Sequence, residues 1–319
     1  MSQQKGFAKQ ISQGFFQQKK GFLLVLLTAI VSGASIFTNS FAVKGFDASI
    51  FTFLKNALVA IFLFSIILLL KELPSLKKLS KKQWAQLAAI GFVGGSIPFL
   101  LFFQALQLTT AINAGFVHKT LFIWASLFAI ILLKEKIDKR FMLATMLLLA
   151  GNFAFFSISS FGLPEALILA ATILWAAELA ISKKALNALS GTTVAFGRMF
   201  FGSIFILAFL ALTGQVIEIT AISAQQAPWI LISSAFLLAY VFTFYSGLKL
   251  LPVHKAASVL LLAQPITVFL SFAFFGTTIS IQDAFGFLLI IAGTFLAFGL
   301  GFFLNPKKTK VPAIAPERN

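Results

Sequence analysis

Four ionisable side chains interrupt otherwise apolar stretches of this chain: Lys55, Lys119, Glu178 and Arg198. An ionised group near the centre of an apolar helix in lipid costs roughly 2.5 to 3.5 kcal/mol, so each calls for a partner, water or a ligand. Three cations against one acid suit an anionic or zwitterionic solute. Lys119 is expected near the membrane midplane, and Gly115, one turn earlier, would leave room beside its ammonium for a ligand or another helix. His118 stands about 100° round the helix from Lys119, so both reach one cavity only if it is wide. Tyr245 adds a polar handle. The plainer readings are a structural ion pair for Glu178 and Arg198, which lie at similar inferred depths, and packing roles for His118 and Tyr245.

Enzymatic chemistry finds little material. The chain has no Cys, which excludes disulfides, thiolate ligands and thiol nucleophiles. His118 and His254 lack a HExxH-like setting, and no paired carboxylates or nucleophile with an adjacent base stand out. A GxxxxGK[ST] loop is absent as well, so direct ATP drive is not indicated. No cofactor and no metal are expected.

The elements that must hold these residues are membrane helices. Apolar side chains make up 59% of the 319 residues and charged ones 11%, with a mean hydropathy of +0.98. A soluble domain of this size holds about 45 to 50% apolar and 25% charged residues. The apolar residues form ten runs, over 21–43, 48–70, 84–108, 109–133 and 141–158, then 165–182, 192–212, 228–250, 255–275 and 282–303. Most are long enough to cross a hydrocarbon core of about 30 Å at about 1.5 Å per residue. Barrel strands would be about ten residues long and alternating, which these are not. Runs three and four almost touch, so residues 107–110 must make a tight turn.

The formal charge of +16 sits in the gaps between runs, which argues for a membrane surface and against a nucleic-acid partner. Alternate gaps and the two ends hold twenty-one of the 25 basic residues, whereas the other gaps hold only Lys44. By the positive-inside rule both termini are cytoplasmic and the protein is a multi-pass inner- or plasma-membrane chain. Residues 1–20 then form a cytoplasmic tail or a short interfacial helix, with Phe7, Ile11 and Phe15 between lysines, and residues 304–319 a second cytoplasmic tail.

Sliding the chain on itself aligns 103–156 with 245–298 without a gap, matching Ala114 with Ala256, Ile137 with Ile279 and Gly151 with Gly293. A neighbouring offset puts Lys55 on Arg198. Each half, 21–158 and 159–303, holds five runs, an odd number, so the second copy enters the membrane from the opposite side. The stretch TTAINAGFVHKTLFIWASLFAIILLKEKI, its partner LPVHKAASVLLLAQPITVFLSFAFFGTTI, and the glycine-containing FMLATMLLLAGNF and FGFLLIIAGTFLAF resemble the EamA-type transporters of the drug/metabolite transporter superfamily. Departures from that pattern include Ile123 opposite Pro265, Thr277 opposite Glu135, and Lys55 in place of an arginine.

The resemblance implies an all-α fold of ten transmembrane helices in two inverted repeats, with the fifth and tenth helices peripheral. The implied function is secondary transport of a small metabolite by alternating access, with Lys119, His118, Lys55, Arg198, Glu178 and Tyr245 as substrate or pathway residues. Proton coupling, exchange and facilitated diffusion all remain open, as does oligomeric state. The competing readings are an intramembrane enzyme or lipid-handling protein, which would show turnover without vectorial transport, and a channel, for which no selectivity filter is recognisable.

Overall fold

A computed structural model describes residues 2–155, 161–299 and 302–303. The expected tail at 304–319, residues 156–158 of the fifth run and residues 300–301 of the tenth lie outside these residues. Among those described there is no strand, and the helices form the anticipated series of ten. They are α1 (Ser2–Ala42), α2 (Ala48–Leu69), α3 (Lys81–Leu108), α4 (Ala111–Leu133) and α5 (Lys139–Phe153), followed by α6 (Leu163–Leu186), α7 (Gly191–Leu212), α8 (Ala227–Leu250), α9 (Val253–Phe275) and α10 (Ile281–Phe298). Nine are long and apolar enough over the described residues to cross a membrane; α5 is described for 15 residues.

Local chemistry sets the boundaries. The carboxylate of Asp47 accepts from the Ser49 and Ile50 N–H groups, and the hydroxyls of Ser80, Thr110, Ser190 and Ser280 cap α3, α4, α7 and α10, each occupying a donor that the first turn cannot satisfy itself. The turn anticipated at 107–110 is as short as expected, with α3 ending at Leu108 and α4 starting at Ala111. One difference is at the start, where α1 runs for 41 residues as a single helix rather than as a separate tail or interfacial helix before residue 21.

The repeat is visible in these same details. Helix α4 breaks at Thr120 and α9 tightens into a 3₁₀ turn over Leu260–Leu262, at equivalent positions. Both helices end on a left-handed residue, Lys134 with φ 55° and Gly276 with φ 64°, and the next helix is then capped by Asp138 or Ser280. The packing interleaves the halves: α3 and α4 gather with α6, while α8 and α9 gather with α1. Helices α2 and α7 pack on each other, and α5 and α10 form a separate pair.

Candidate functional site

The site begins with a proline. Pro98 lacks an N–H, so the carbonyl of Gly94, four residues earlier in α3, loses its usual helical donor. Helix α3 widens to a π-helix over Gly91–Ser96 at this point. The freed carbonyl accepts from Trp175 Nε1 at 2.9 Å, and from Arg198 Nε at 3.2 Å and Nη2 at 3.0 Å. One step on, the Gly95 carbonyl accepts from Asn56 Nδ2 at 2.9 Å. A Cβ on Gly95 would meet the Arg198 carbonyl oxygen, and one on Gly94 would meet the Glu178 side chain. The two glycines therefore let α3 approach α7 and α6 closely enough to place Arg198, Trp175 and Glu178 around one opening.

That opening is a cavity with about 710 Å³ of empty space, the open space at its mouth included. Its charged lining residues are Lys55, Glu178 and Arg198, joined by His118. Aromatic walls come from α3, α6 and α8, including Phe99, Phe102, Trp175 and Tyr240. Ser32, Ser35 and Asn39 of α1 supply a polar strip. The α1, α2 and α3 contributions come from the half of each helix nearer the face bearing Lys44. The α6 and α7 contributions, including Glu178, Leu179 and Arg198, come from the half nearer the lysine-rich face, where Tyr245 and Leu248 are fully buried.

Lys55 is 1% exposed, yet its Nζ has no hydrogen-bond or ion-pair partner among the described residues. Instead it lies 3.5 Å from the centre of the Phe103 ring, 5.2 Å from Phe99 and 5.3 Å from Phe51. The Arg198 guanidinium is 5.3 Å from that same Phe99 ring. Two cations thus share one aromatic ring at the cavity wall. A ring face partly offsets the desolvation of a cation but leaves its N–H groups without acceptors.

Glu178 and Arg198 do not form the direct ion pair that their depths suggested; no carboxylate–guanidinium contact lies within 4 Å. Glu178 Oε1 instead accepts from Tyr245 Oη at 2.8 Å and from Ser182 Oγ. Its Oε2 is buried without a hydrogen-bond partner among the described residues. Arg198 sits over the Tyr245 ring at 5.8 Å, so the tyrosine lies between the two charges. Tyr245 itself is 0% exposed and does not line the cavity; it reaches it only through its hydrogen bond to Glu178.

His118 faces the cavity, with Nδ1 3.4 Å from Thr172 Oγ1 and its ring between Phe102 and Trp175. Lys119 does not line the cavity. Its Nζ donates to Ser32 Oγ at 3.0 Å, which places the ammonium one residue behind the wall. The room expected beside Gly115 is taken by Gln264, whose Nε2 donates to the Ile112 carbonyl at 3.1 Å. Sequence reasoning overlooked the strip Ser32, Ser35, Asn39. Its helical spacing within a run that holds no charged residue was the available signal.

Ten apolar helices in two inverted five-helix repeats, with a charged and aromatic cavity between them, define a multi-pass membrane transporter. The EamA-like transporter family model matches residues 19–157 and again 163–299, and the chain belongs to that family, within the drug/metabolite transporter superfamily. It is 26% identical over 295 residues to an uncharacterized transporter of Clostridium kluyveri, covering 88% of this chain and 93% of that one. A protein of known crystal structure is 16% identical, with a TM-score of 0.69, over 88% of this chain and 96% of that one, which shows a shared fold.

Proposed function

We propose that the protein is a secondary carrier that moves a small anionic or zwitterionic metabolite, such as an amino acid or organic acid, across the inner or plasma membrane by alternating access. Both termini would be cytoplasmic, as the lysine-rich loops require. The observation that carries this reading is the Lys55 ammonium, which is buried in the cavity wall with aromatic neighbours and no ion-pair partner among the described residues. A cargo carboxylate would give it the charge-assisted hydrogen bonds that the protein does not. The Phe99, Phe102 and Trp175 faces would cover an apolar body, and the Ser32, Ser35 and Asn39 strip would meet polar substituents.

The test is binding to the purified protein in detergent, read as thermal stabilisation by a panel of amino and organic acids and by their neutral amides. Stabilisation by acids and not by matched amides supports the anion site. Equal effects of acids and amides would reject it.

A further inference from the structure

The two repeats end their fourth helices differently, and the difference falls at the contacts that shut one face of the cavity. On the lysine-rich face, Glu135 follows α4 and its carboxylate caps α9. Oε1 accepts from the Val253 N–H at 2.9 Å, Oε2 from the His254 N–H at 3.4 Å, and the His254 imidazole Nδ1 lies 2.5 Å from Oε2. Burial works against ionisation of Glu135, but the hydrogen bonds from His254 and Val253 outweigh it and hold the carboxyl below its usual range. Beside this contact, Lys183 of α6 donates to the carbonyls of Leu248 at 2.7 Å, Lys249 at 3.2 Å and Leu251 at 2.7 Å, at the end of α8. Lys249 returns a bond to the Leu189 carbonyl, past the end of α6, at 2.9 Å.

Each of these bonds joins the group α3, α4, α6 to the group α1, α8, α9. None lies within a group. They therefore oppose separation of the two groups at the lysine-rich face; toward the other face the groups are joined by Gln107 Nε2, which donates to the Val43 and Phe46 carbonyls, and by Gln264 Nε2, which donates to the Ile112 carbonyl.

Inversion of the repeat assigns each partner a counterpart. Glu135 corresponds to Thr277, and the Val253 and His254 N–H groups correspond to those of Ala111 and Ile112 at the start of α4. The left-handed residues Lys134 and Gly276, one position earlier, fix that register in the backbone. In the structure the Thr277 hydroxyl is buried and has no hydrogen-bond partner among the described residues. A cap is thus made on the lysine-rich face, and its counterpart is unmade on the other.

Building on the alternating-access reading, we infer that Glu135 and Thr277 are alternate latches: Glu135 holds the lysine-rich face shut in this state, and Thr277 caps α4 when the opposite face shuts. A carboxylate on backbone N–H groups binds more strongly than a hydroxyl. The resting state of the empty carrier is consequently the one with the lysine-rich face closed.

The absence of native cysteine permits the test by spin-label distance measurement on the full chain in nanodiscs. One pair, Lys20→Cys with Lys184→Cys, spans the lysine-rich face, and a second, Lys44→Cys with Leu163→Cys, spans the other. Glu135→Ala should lengthen the first distance and shorten the second, shifting the ratio of the two populations at least tenfold, or about 1.4 kcal/mol. Thr277→Glu, which copies the stronger latch to the opposite face, should shift it in the same direction, and it carries the test if Glu135→Ala fails to fold. Unchanged distances in Thr277→Glu, with solute counterflow intact, would overturn the latches and leave the carrier standing. Loss of counterflow in the unlabelled native protein would instead count against the carrier reading itself.

Discussion

Replacing Lys55 with Met keeps the length and apolar stem of the side chain and removes only its charge. The ammonium has no ion-pair or hydrogen-bond partner among the described residues, so no buried anion is stranded by the change. What is lost in the empty protein is the contact with Phe103, Phe99 and Phe51, worth about 2 kcal/mol for a desolvated cation–π contact. Against it stands the removed cost of a charge at membrane depth, roughly 2.5 to 3.5 kcal/mol. The two nearly cancel, and the melting temperature should move little. Binding of an anionic cargo should fall much further, because a hydrogen bond to a charged group is worth about 1.5 to 3 kcal/mol, or about 10- to 150-fold in affinity. The assay is a dissociation constant for the best acid found by thermal stabilisation, measured for native and Lys55→Met protein at matched stability. Unchanged affinity would refute the assignment of Lys55 as the anion's partner. A variant that unfolds would show that the ammonium is satisfied in some way the geometry does not reveal.

Three further outcomes follow from the packing and charge pattern. Gly95→Ala should destabilise the protein by about 1 to 3 kcal/mol, seen as a lower melting temperature in detergent, because its Cβ would meet the Arg198 backbone oxygen rather than a movable side chain. A double-mutant cycle of Glu178→Gln with Tyr245→Phe should show coupling of about 0.5 to 3 kcal/mol in thermal stability, larger than that of Glu178→Gln with Arg198→Gln; additive effects in the first cycle would contradict the hydrogen bond. In intact cells, an impermeant thiol reagent applied outside should label Lys44→Cys and spare Lys77→Cys, and the reverse pattern would invert the proposed topology.

The helices were legible because lipid permits few alternatives: an apolar run long enough to span must satisfy its own backbone. The inverted repeat was legible for the same reason, since an odd number of spans per half leaves one geometry. The exact helix starts were not, since the caps at Asp47 and Ser80 were recognised only in the structure. The site was legible only in part. Lys55, Glu178, Arg198 and His118 do meet in one cavity, but which way a side chain points around an all-apolar helix has no amphipathic signal to fix it. Lys119 accordingly faces Ser32 behind the wall, and Gly115 makes room for Gln264 rather than for a ligand. The pairing of Glu178 with Tyr245 joins α6 to α8 through a contact 67 residues apart, which local pattern does not reach. Pro98 carried a readable consequence, a free carbonyl at Gly94, although its three donors from α6 and α7 became evident only in the fold.

The central claim is vectorial movement of an acid through this cavity, and counterflow tests it most directly. Purified protein in liposomes preloaded with an unlabelled acid that stabilises it should take up a trace of the same labelled acid to a transient excess over equilibrium. Protein-free liposomes and Lys55→Met protein at the same trace concentration should show none. Chemical conversion of the acid without any such excess, or an equal excess in the Lys55→Met liposomes, would contradict the account.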